Sequence, residues 1–311
     1  MTSPPETRYD VVVVGNATID YTLRIGAALH PGHKQVAHEL ARAVGGEATN
    51  ACLVMSALGL RTNFVGRFGA DPDGEQHRRF LLDHGCAVEG SILVPGADHH
   101  FAAVVVDGNG ERTIVTQKNP ALTPDNTQLP PSLLRRCHAF FSDGREAEFS
   151  RYGLAAAKGL GVRTFADAED ADWLGAALAD IDELIVPEHV AVRFAGTEVI
   201  EDAARKLLAD GPEVVVVTLG ARGSVVADAD GRVEQVPAAP ATVVDSTGAG
   251  DAFHGAYVAA RIAGLAPAKA AVVGAVAGAA TCEHVGPRAP GPEIARRCGP
   301  LLGLAEGGDP R

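Results

Sequence analysis

Short apolar runs recur along the chain, and each ends in glycine, proline or aspartate. They cover residues 10–15, 63–66, 138–143, 162–167, 183–187 and 213–220. Runs without polar alternation are typical of strands buried on both faces of a parallel sheet. Stretches with helical spacing of apolar residues follow GGEATN, DPDG and REAEFS. The alternation predicts βαβ units, and therefore an α/β fold with helices on both faces of a mostly parallel sheet.

Two stretches depart from this alternation. Residues 99–117 place DGNG between two extended runs, which is typical of a β-hairpin. Residues 36–44 fit either a strand or a helix. Neither stretch fits a βαβ unit, so we predict a single domain, residues 1–311, with a small antiparallel β-sheet lid formed by inserted segments at about 21–44 and 98–118. An exposed lid edge is a natural pairing surface, so a homodimer through the lid is a further hypothesis.

Composition narrows the classes of function. The chain has 311 residues, of which 46% are hydrophobic, enough to build a buried core. A formal net charge of −12, without a basic cluster longer than two residues, argues against nucleic-acid binding. The five scattered cysteines form no CxxC pair and are expected to be reduced. Neither a signal-like N-terminus nor an apolar run of membrane-spanning length is apparent, which predicts a cytoplasmic protein with no membrane partner.

The stretch DSTGAGD, residues 245–251, precedes an apolar run of helical spacing. Gly248 and Gly250 allow backbone N–H groups to converge on an anion at the start of that helix, as expected for a phosphate site. No GK[ST] follows the glycines and no GxGxxG is present, so the loop is neither a Walker A nor a Rossmann motif. Local sequence leaves Asp251 with two roles: a general base on an attacking hydroxyl, or a helix cap.

DSTGAGD resembles the DTxGAGD signature of the ribokinase-like (PfkB) family of carbohydrate kinases, with serine for the first threonine. The resemblance continues in order through VVVVGNATID, GGEATNACLVMSALGLRTNFVGRFGADPDG and VVVTLGARG. It implies a ribokinase-like three-layer fold and transfer of the γ-phosphoryl group of ATP to a sugar hydroxyl. It also implies Asp251 as the base, with the amides of Gly248, Ala249 and Gly250 as the anion hole.

The same resemblance implies further binding residues. Those for the sugar lie at the first strand end and in the GGxxxN motif: Asn16, Asp20, Gly45, Gly46 and Asn50. Amides and carboxylates suit vicinal hydroxyls, which both donate and accept hydrogen bonds. Those for the nucleotide are Thr218, Gly220 and Gly223. The alternatives are a polar residue at a helix start for Asn50 and a plain strand-to-turn junction for the nucleotide segment.

For metals, the resemblance implies a monovalent-cation site, K⁺ in many members, at Asp245 and Thr247. The family's NxxE motif, which helps to organise magnesium, is replaced by Pro187, Glu188, His189 and Val190. We therefore expect Mg²⁺ to lie mainly between the nucleotide phosphates and water, with Glu188 as an outer contact.

The segments GNGERTIV, SDGREAEF and VVDSTGAGDAFHGA resemble ketohexokinases and bacterial sulfofructose kinases. That branch implies sugar contacts for Arg145 and, at an anionic end of the substrate, for Lys34; otherwise Arg145 is a surface residue and Lys34 a solvated lid residue. His254 is expected to be a buried supporting group. The leading hypothesis is an ATP-dependent kinase of a ketose or related sugar. The alternatives are a nucleoside kinase, disfavoured by 5% aromatic content, and a non-catalytic sugar- or nucleotide-binding regulator.

Overall fold

The structure, a computed structural model, describes residues 9–108 and 112–304. Its strands are Tyr9–Val14 (β1), Thr18–Ile25 (β2), Ala37–Gly45 (β3), Thr62–Val65 (β4), Arg67–Gly69 (β5), Ile92–Val94 (β6), Phe101–Val106 (β7), Arg112–Gln117 (β8), Cys137–Ser142 (β9), Arg163–Asp167 (β10), Glu183–Pro187 (β11), Val214–Thr218 (β12), Ser224–Asp228 (β13) and Val233–Val236 (β14). Its α-helices are Glu47–Ala57 (α1), Pro72–Asp83 (α2), Pro131–Leu134 (α3), Ala147–Gly159 (α4), Ala171–Ala177 (α5), Glu188–Ala195 (α6), Ile200–Ala209 (α7), Ala249–Ile262 (α8), Pro267–Cys282 (α9) and Gly291–Cys298 (α10). Within these ranges, no helix has both the length and the apolar character of a membrane span.

Eight strands form the central sheet, in the order β14-β13-β12-β11-β10-β9-β1-β4. The pairs from β4 to β12 are parallel, and β13 and β14 extend the sheet as antiparallel strands. The predicted mostly parallel sheet is therefore confirmed, whereas the antiparallel end was not anticipated. Its two strands follow β12 through short turns and need no crossover helix.

The two faces of the sheet explain the uninterrupted apolar runs. In β1, Val11 and Val13 belong to one hydrophobic cluster, and Val12 and Val14 belong to another on the opposite face. Successive side chains of a strand point to opposite faces, so a strand buried on both sides needs apolar residues at every position. All four valines are fully buried, as the sequence pattern predicts.

A separate four-stranded sheet has the order β3-β2-β7-β8. Residues 36–44 fall largely within strand β3, which settles the choice between strand and helix. β3 pairs with β2 and β8 pairs with β7 in antiparallel fashion, as predicted. The central pair, β2 with β7, is parallel, so the expectation of a wholly antiparallel sheet is wrong. Part of the predicted DGNG turn, residues 109–110, lies outside the described residues.

Helices α1 and α8 pack closely because of a glycine. A Cβ atom at Gly255 would lie 2.5 Å from the backbone oxygen of Ala51. Such a distance is far below van der Waals contact, so any larger residue would push the helices apart. This approach brings Asn50, in the first turn of α1, against Asp251, in the first turn of α8.

Candidate active site

A cleft is expected where the strand order of a parallel sheet reverses, and here that point lies between β1 and β9. Asn16 follows β1 and Asp143 follows β9. The Asp143 Oδ2 atom accepts hydrogen bonds from the backbone N–H groups of Asn16, at 2.7 Å, and Ala48, at 3.0 Å. Burial, followed by the charge of Glu47, raises the pKa of Asp143 to about 7, against the effect of its backbone hydrogen bonds. Asp143, which sequence reasoning missed, thus joins the strand end to helix α1.

The glycine pair of the GGxxxN motif lets two chain segments approach. A Cβ atom at Gly45 would lie 2.0 Å from the carboxylate of Asp20, and one at Gly46 would lie 2.3 Å from the backbone oxygen of Asn16. Gly46 also has φ of 100°, a conformation that favours glycine. Asp20 accepts a hydrogen bond from Thr18 Oγ1 at 2.8 Å, and burial raises its pKa. The glycines therefore have a steric role: they make room for Asp20 and Asn16.

Asn16 has one satisfied and one unsatisfied side-chain atom. Its Nδ2 atom donates to Glu47 Oε2 at 2.9 Å. Its Oδ1 atom is buried and has no hydrogen-bond partner among the described residues. An unpaired buried acceptor is costly, and a bound hydroxyl group would satisfy it.

The predicted anion loop turns sharply into helix α8. Gly248 is the residue before the helix and has φ of 72°, and a Cβ atom there would lie 2.0 Å from the backbone oxygen of Pro287. No side chain from the described residues caps this helix end. The amides of its first turn are therefore free of a side-chain competitor for an anion.

The Asp251 carboxylate is bound by a side chain and does not cap the helix. Its Oδ2 atom accepts a hydrogen bond from Asn50 Nδ2 at 2.7 Å, and Asn50 Oδ1 in turn accepts one from Arg288 Nη1 at 2.7 Å. Burial, followed by the negative charge of Glu47, raises the pKa of Asp251 well above its ordinary value, and the Asn50 hydrogen bond opposes the shift. A carboxylate with a raised pKa is a better proton acceptor than an ordinary one.

The two basic residues expected near the sugar differ in their surroundings. Arg145 forms ion pairs with Glu47 at 3.0 Å and with Glu169 at 2.9 Å, so its charge is compensated within the protein. Lys34 is exposed, in the loop between β2 and β3. Glu47 and Glu169 were not selected from the sequence, although Glu47 directly follows the two glycines.

His254 lies one turn into α8 and is buried. Its Nδ1 atom is 3.4 Å from Asp167 Oδ2, and burial lowers the pKa of the imidazole to about 3. The ring is therefore neutral at physiological pH, which suits a supporting residue better than a proton carrier. Asp167 is itself buried, burial raises its pKa, and its Oδ1 atom has no hydrogen-bond partner among the described residues.

The predicted nucleotide residues lie at another strand end. Thr218 and Gly220 line a cleft of about 560 Å³ together with Pro187, Glu188 and His189. Gly223 has φ of 88°, and a Cβ atom there would lie 2.0 Å from the backbone oxygen of Val236. Glycine at position 223 therefore allows the chain to run close to the backbone at the end of β14. A Cβ atom at Gly220, by contrast, would meet nothing within 4 Å.

Asp245 organises the loop before α8. Its Oδ1 atom accepts hydrogen bonds from the Thr247 hydroxyl at 2.7 Å and the Thr247 backbone at 2.9 Å, and its Oδ2 atom accepts one from the backbone of Gly286 at 3.0 Å. Burial raises the pKa of Asp245, but these hydrogen bonds outweigh it and the net shift is downward. Arg112, at the start of β8, donates to Thr247 Oγ1 at 2.9 Å and so links the four-stranded sheet to this loop.

The described residues offer no cluster of side chains that could enclose a magnesium ion. Across residues 9–108 and 112–304, no group of three or more His, Cys, Asp or Glu side chains could hold a metal ion. Glu188, the expected outer contact, forms an ion pair with Arg222. Its carboxylate is therefore engaged with a cation from the protein.

Comparisons with known proteins agree on one family. The family described as pfkB family carbohydrate kinase matches residues 8–294. A fructokinase of Klebsiella pneumoniae is 30% identical over 283 residues, covering 85% of this chain and 86% of the relative. A nucleoside kinase of Methanothermobacter thermautotrophicus is 27% identical over 261 residues, covering 82% and 83%.

Solved structures support the same fold. A ribokinase of Arabidopsis thaliana, complexed with ribose and ATP, has a TM-score of 0.82 and 24% identity, and covers 96% of this chain and 100% of that one. An adenosine kinase of Sinorhizobium meliloti has a TM-score of 0.80 and 21% identity, and covers 93% and 99%. The predicted ribokinase-like α/β fold is therefore confirmed. The similarities extend to ribokinases, fructokinases and nucleoside kinases, and do not establish the ketohexokinase branch.

Proposed function

The chain belongs to the pfkB family of carbohydrate kinases, and we propose that it transfers the γ-phosphoryl group of ATP to a hydroxyl group of a ketose or related sugar. One observation carries the proposal: the partly buried Asp251 carboxylate lies at the uncapped N-terminus of α8, bound by Asn50 of the GGxxxN motif. A base and an anion site are thus adjacent. The ribose and ATP bound by the Arabidopsis ribokinase are consistent with these two substrates.

In this mechanism Asp251 accepts the proton of the acceptor hydroxyl while the hydroxyl oxygen attacks the γ-phosphorus. The bond between the γ-phosphorus and the β–γ bridging oxygen breaks, and ADP leaves with that oxygen. The amides of Gly248, Ala249 and Gly250, at the positive end of the helix dipole, stabilise the negative charge of the transferred group. Mg²⁺ would enter with the nucleotide phosphates. The Glu188 carboxylate is already engaged by Arg222.

The charges of the cleft favour a neutral acceptor. Asp20, Glu47, Asp143, Asp167 and Asp251 form a group of interacting acidic residues. Of the nearby cations, Arg145 is compensated by glutamates, and Arg288 interacts with Asp20 and Asp251. Burial and mutual repulsion already raise the pKa values of Asp143, Asp167 and Asp251, so a further negative charge would be unfavourable there. The unpaired Oδ1 atom of Asn16, by contrast, suits a hydroxyl donor.

A panel of ketoses, aldoses, sulfosugars and nucleosides, with coupled detection of ADP, tests the substrate class. We expect the largest kcat/KM for a neutral sugar. A higher value for a nucleoside would favour the second candidate, which the similarity to the Methanothermobacter nucleoside kinase supports. Sugar binding without ADP formation under varied magnesium and potassium would identify a regulator instead.

The role of Asp251 is tested by Asp251→Asn. Loss of the base should lower kcat by at least about 100-fold, since general-base catalysis contributes ~10²–10⁴-fold, while calorimetry should show sugar affinity nearly unchanged. Near-normal turnover would refute the assignment.

The four-stranded sheet is proposed as a lid that closes over the sugar and excludes water. Its edge strands carry exposed apolar residues, including Leu40, Ile114 and Val115, which also supports a homodimer through the lid. Hydrogen exchange with saturating sugar should show greater protection in β3 and β8 together. Unchanged exchange would refute closure, and sedimentation showing a monomer at all concentrations would refute the dimer.

A further inference from the structure

Arg288 lies in the segment between α9 and α10, and no sequence motif selected it. Its Nη1 atom donates to Asn50 Oδ1 at 2.7 Å and also to the backbone oxygen of Val44, at the end of β3. Its guanidinium lies over the ring of Phe80, 5.1 Å from the centroid. Three separate segments therefore fix the position of one partly buried cation.

The chemistry of arginine sets the orientation of the Asn50 amide. A guanidinium only donates hydrogen bonds, so Asn50 must turn its oxygen toward Arg288. Its Nδ2 atom then faces the other way, where it donates to Asp251 Oδ2 at 2.7 Å. The reversed amide would place two donors against each other at Arg288 and two acceptors against each other at Asp251. Arg288 therefore selects the orientation in which Asn50 donates to Asp251.

We propose that Arg288 is a positioning residue that acts through Asn50 to hold the Asp251 carboxylate by Oδ2, which leaves Oδ1 to receive the proton of the acceptor. The inference rests on the proposed function, because it concerns the base of that reaction. It adds a residue from outside the glycine-containing motifs to the catalytic arrangement. Within residues 9–108 and 112–304, Arg288 forms no hydrogen bond or ion pair with Asp251 and reaches it through Asn50.

The positive charge of Arg288 also favours the ionised form of Asp251, in agreement with a positioning role. Burial lowers the pKa of Arg288 to about 10, opposed by the charges of Asp20 and Asp251, so the guanidinium remains charged at neutral pH. The charge favours the ionised form of both carboxylates. It acts in the opposite direction to Glu47 and Asp143, which raise the pKa of Asp251. Arg288 therefore helps to keep Asp251 available as a base.

The first experiment compares Arg288→Met with Arg296→Met, a matched change at an exposed arginine in α10. Arg288→Met should lower kcat about 10- to 100-fold, the range for loss of a hydrogen bond to a charged network, with little change in the KM for ATP. The acid limb of the kcat/KM profile should move to higher pH, because removal of the cation raises the pKa of Asp251. Arg296→Met should behave as wild type, and Arg288→Lys, which retains the charge, should recover part of the loss.

The second experiment is a double-mutant cycle with Asn50→Ala, with circular dichroism to confirm folding. If Arg288 acts through Asn50 in addition to its charge, the loss of activation free energy in the double variant should be clearly smaller than the sum of the two single losses. Additive losses, or an Arg288→Met enzyme whose acid limb is unchanged, would overturn the inference. Asp251→Asn separates the two ideas: if that variant is active, the proposed base is wrong, whereas if it is inactive and the cycle is additive, only the role of Arg288 is wrong.

Discussion

The proposed acceptor side and the proposed nucleotide side of the active site are built differently. On the acceptor side, Asp251, Asn50 and Arg288 bind one another in a chain of hydrogen bonds between partly or fully buried side chains. On the nucleotide side, Glu188 and Arg222 form a pair with side-chain exposures of 38% and 62%, beside a cleft of about 560 Å³. Buried polar groups need partners, whereas exposed ones exchange theirs with water.

The difference indicates which groups hold the side chains of each side in place. The proposed acceptor side is already organised by protein atoms, so it can hold the proposed base, Asp251, in one geometry before the substrate binds. The nucleotide side has few such constraints and would be ordered by ATP and its counterions. Mutations should therefore have large effects on the first side and small effects on the second.

The strongest test replaces Gly46 by alanine. The new Cβ atom would combine an unfavourable φ of 100° with a contact of 2.3 Å to the backbone of Asn16, and should destabilise the protein by about 2–5 kcal/mol and abolish activity. Gly59→Ala is the control, because Gly59 has φ of 89° but nothing within 4 Å of its Cβ position. Urea unfolding should show a smaller loss there, about 1–2 kcal/mol. Equal losses would mean that the close approach at Asn16 is unimportant.

A second test concerns the contribution of Asp251, the proposed base, to the stability of the protein. Burial raises the pKa of Asp251 in the folded chain, so the stability associated with this group is present below its unfolded pKa and is lost as pH rises through its folded pKa. Asp251→Asn should therefore stabilise the protein by about 0.5–2 kcal/mol at pH 8, and the gain should shrink toward acid pH. Thermal unfolding at several pH values measures this. A variant less stable than wild type at pH 8 would contradict the prediction.

A third test concerns the loop before α8. Asp245 accepts hydrogen bonds from Thr247 and Gly286 and so holds this loop at the start of α8. If a monovalent cation helps to order it, K⁺ should raise kcat/KM about two- to fivefold over choline, comparable to a charge effect at a helix terminus. Equal rates in potassium, sodium and choline chloride, at constant ionic strength, would exclude that role.

The smallest effect is expected on the nucleotide side. Arg222→Ala breaks an exposed ion pair and should change the free energy of unfolding by less than about 1 kcal/mol, with the KM for ATP close to wild type. Arg205→Ala, which removes an exposed pair with Asp202 in α7, is the matched control. A large rise in the KM for ATP in Arg222→Ala alone would show that the nucleotide side is also organised in advance.

The sequence by itself determined the parallel part of the central sheet and the glycine turn before α8. Apolar runs such as β1 must be buried on both faces, and a stretch such as DSTGAGD can turn as observed because Gly248 adopts φ of 72°. These features depend on residues that are neighbours in the chain. The same reasoning gave a strand as one of two alternatives for residues 36–44, which largely form β3. It also predicted that His254 is a buried supporting group, and His254 is buried.

Only the tertiary structure decided which distant residues meet. The parallel pairing of β2 with β7, the ion pairs that compensate Arg145 and the contact of Arg288 with Asn50 each join segments far apart in the chain. Their partners carry no local signal, because an arginine or glutamate is compatible with many surroundings and its contacts are set by the packing of whole elements. Gly255 shows the connection: its missing side chain lets α1 and α8 approach, and that approach brings Asn50 to Asp251.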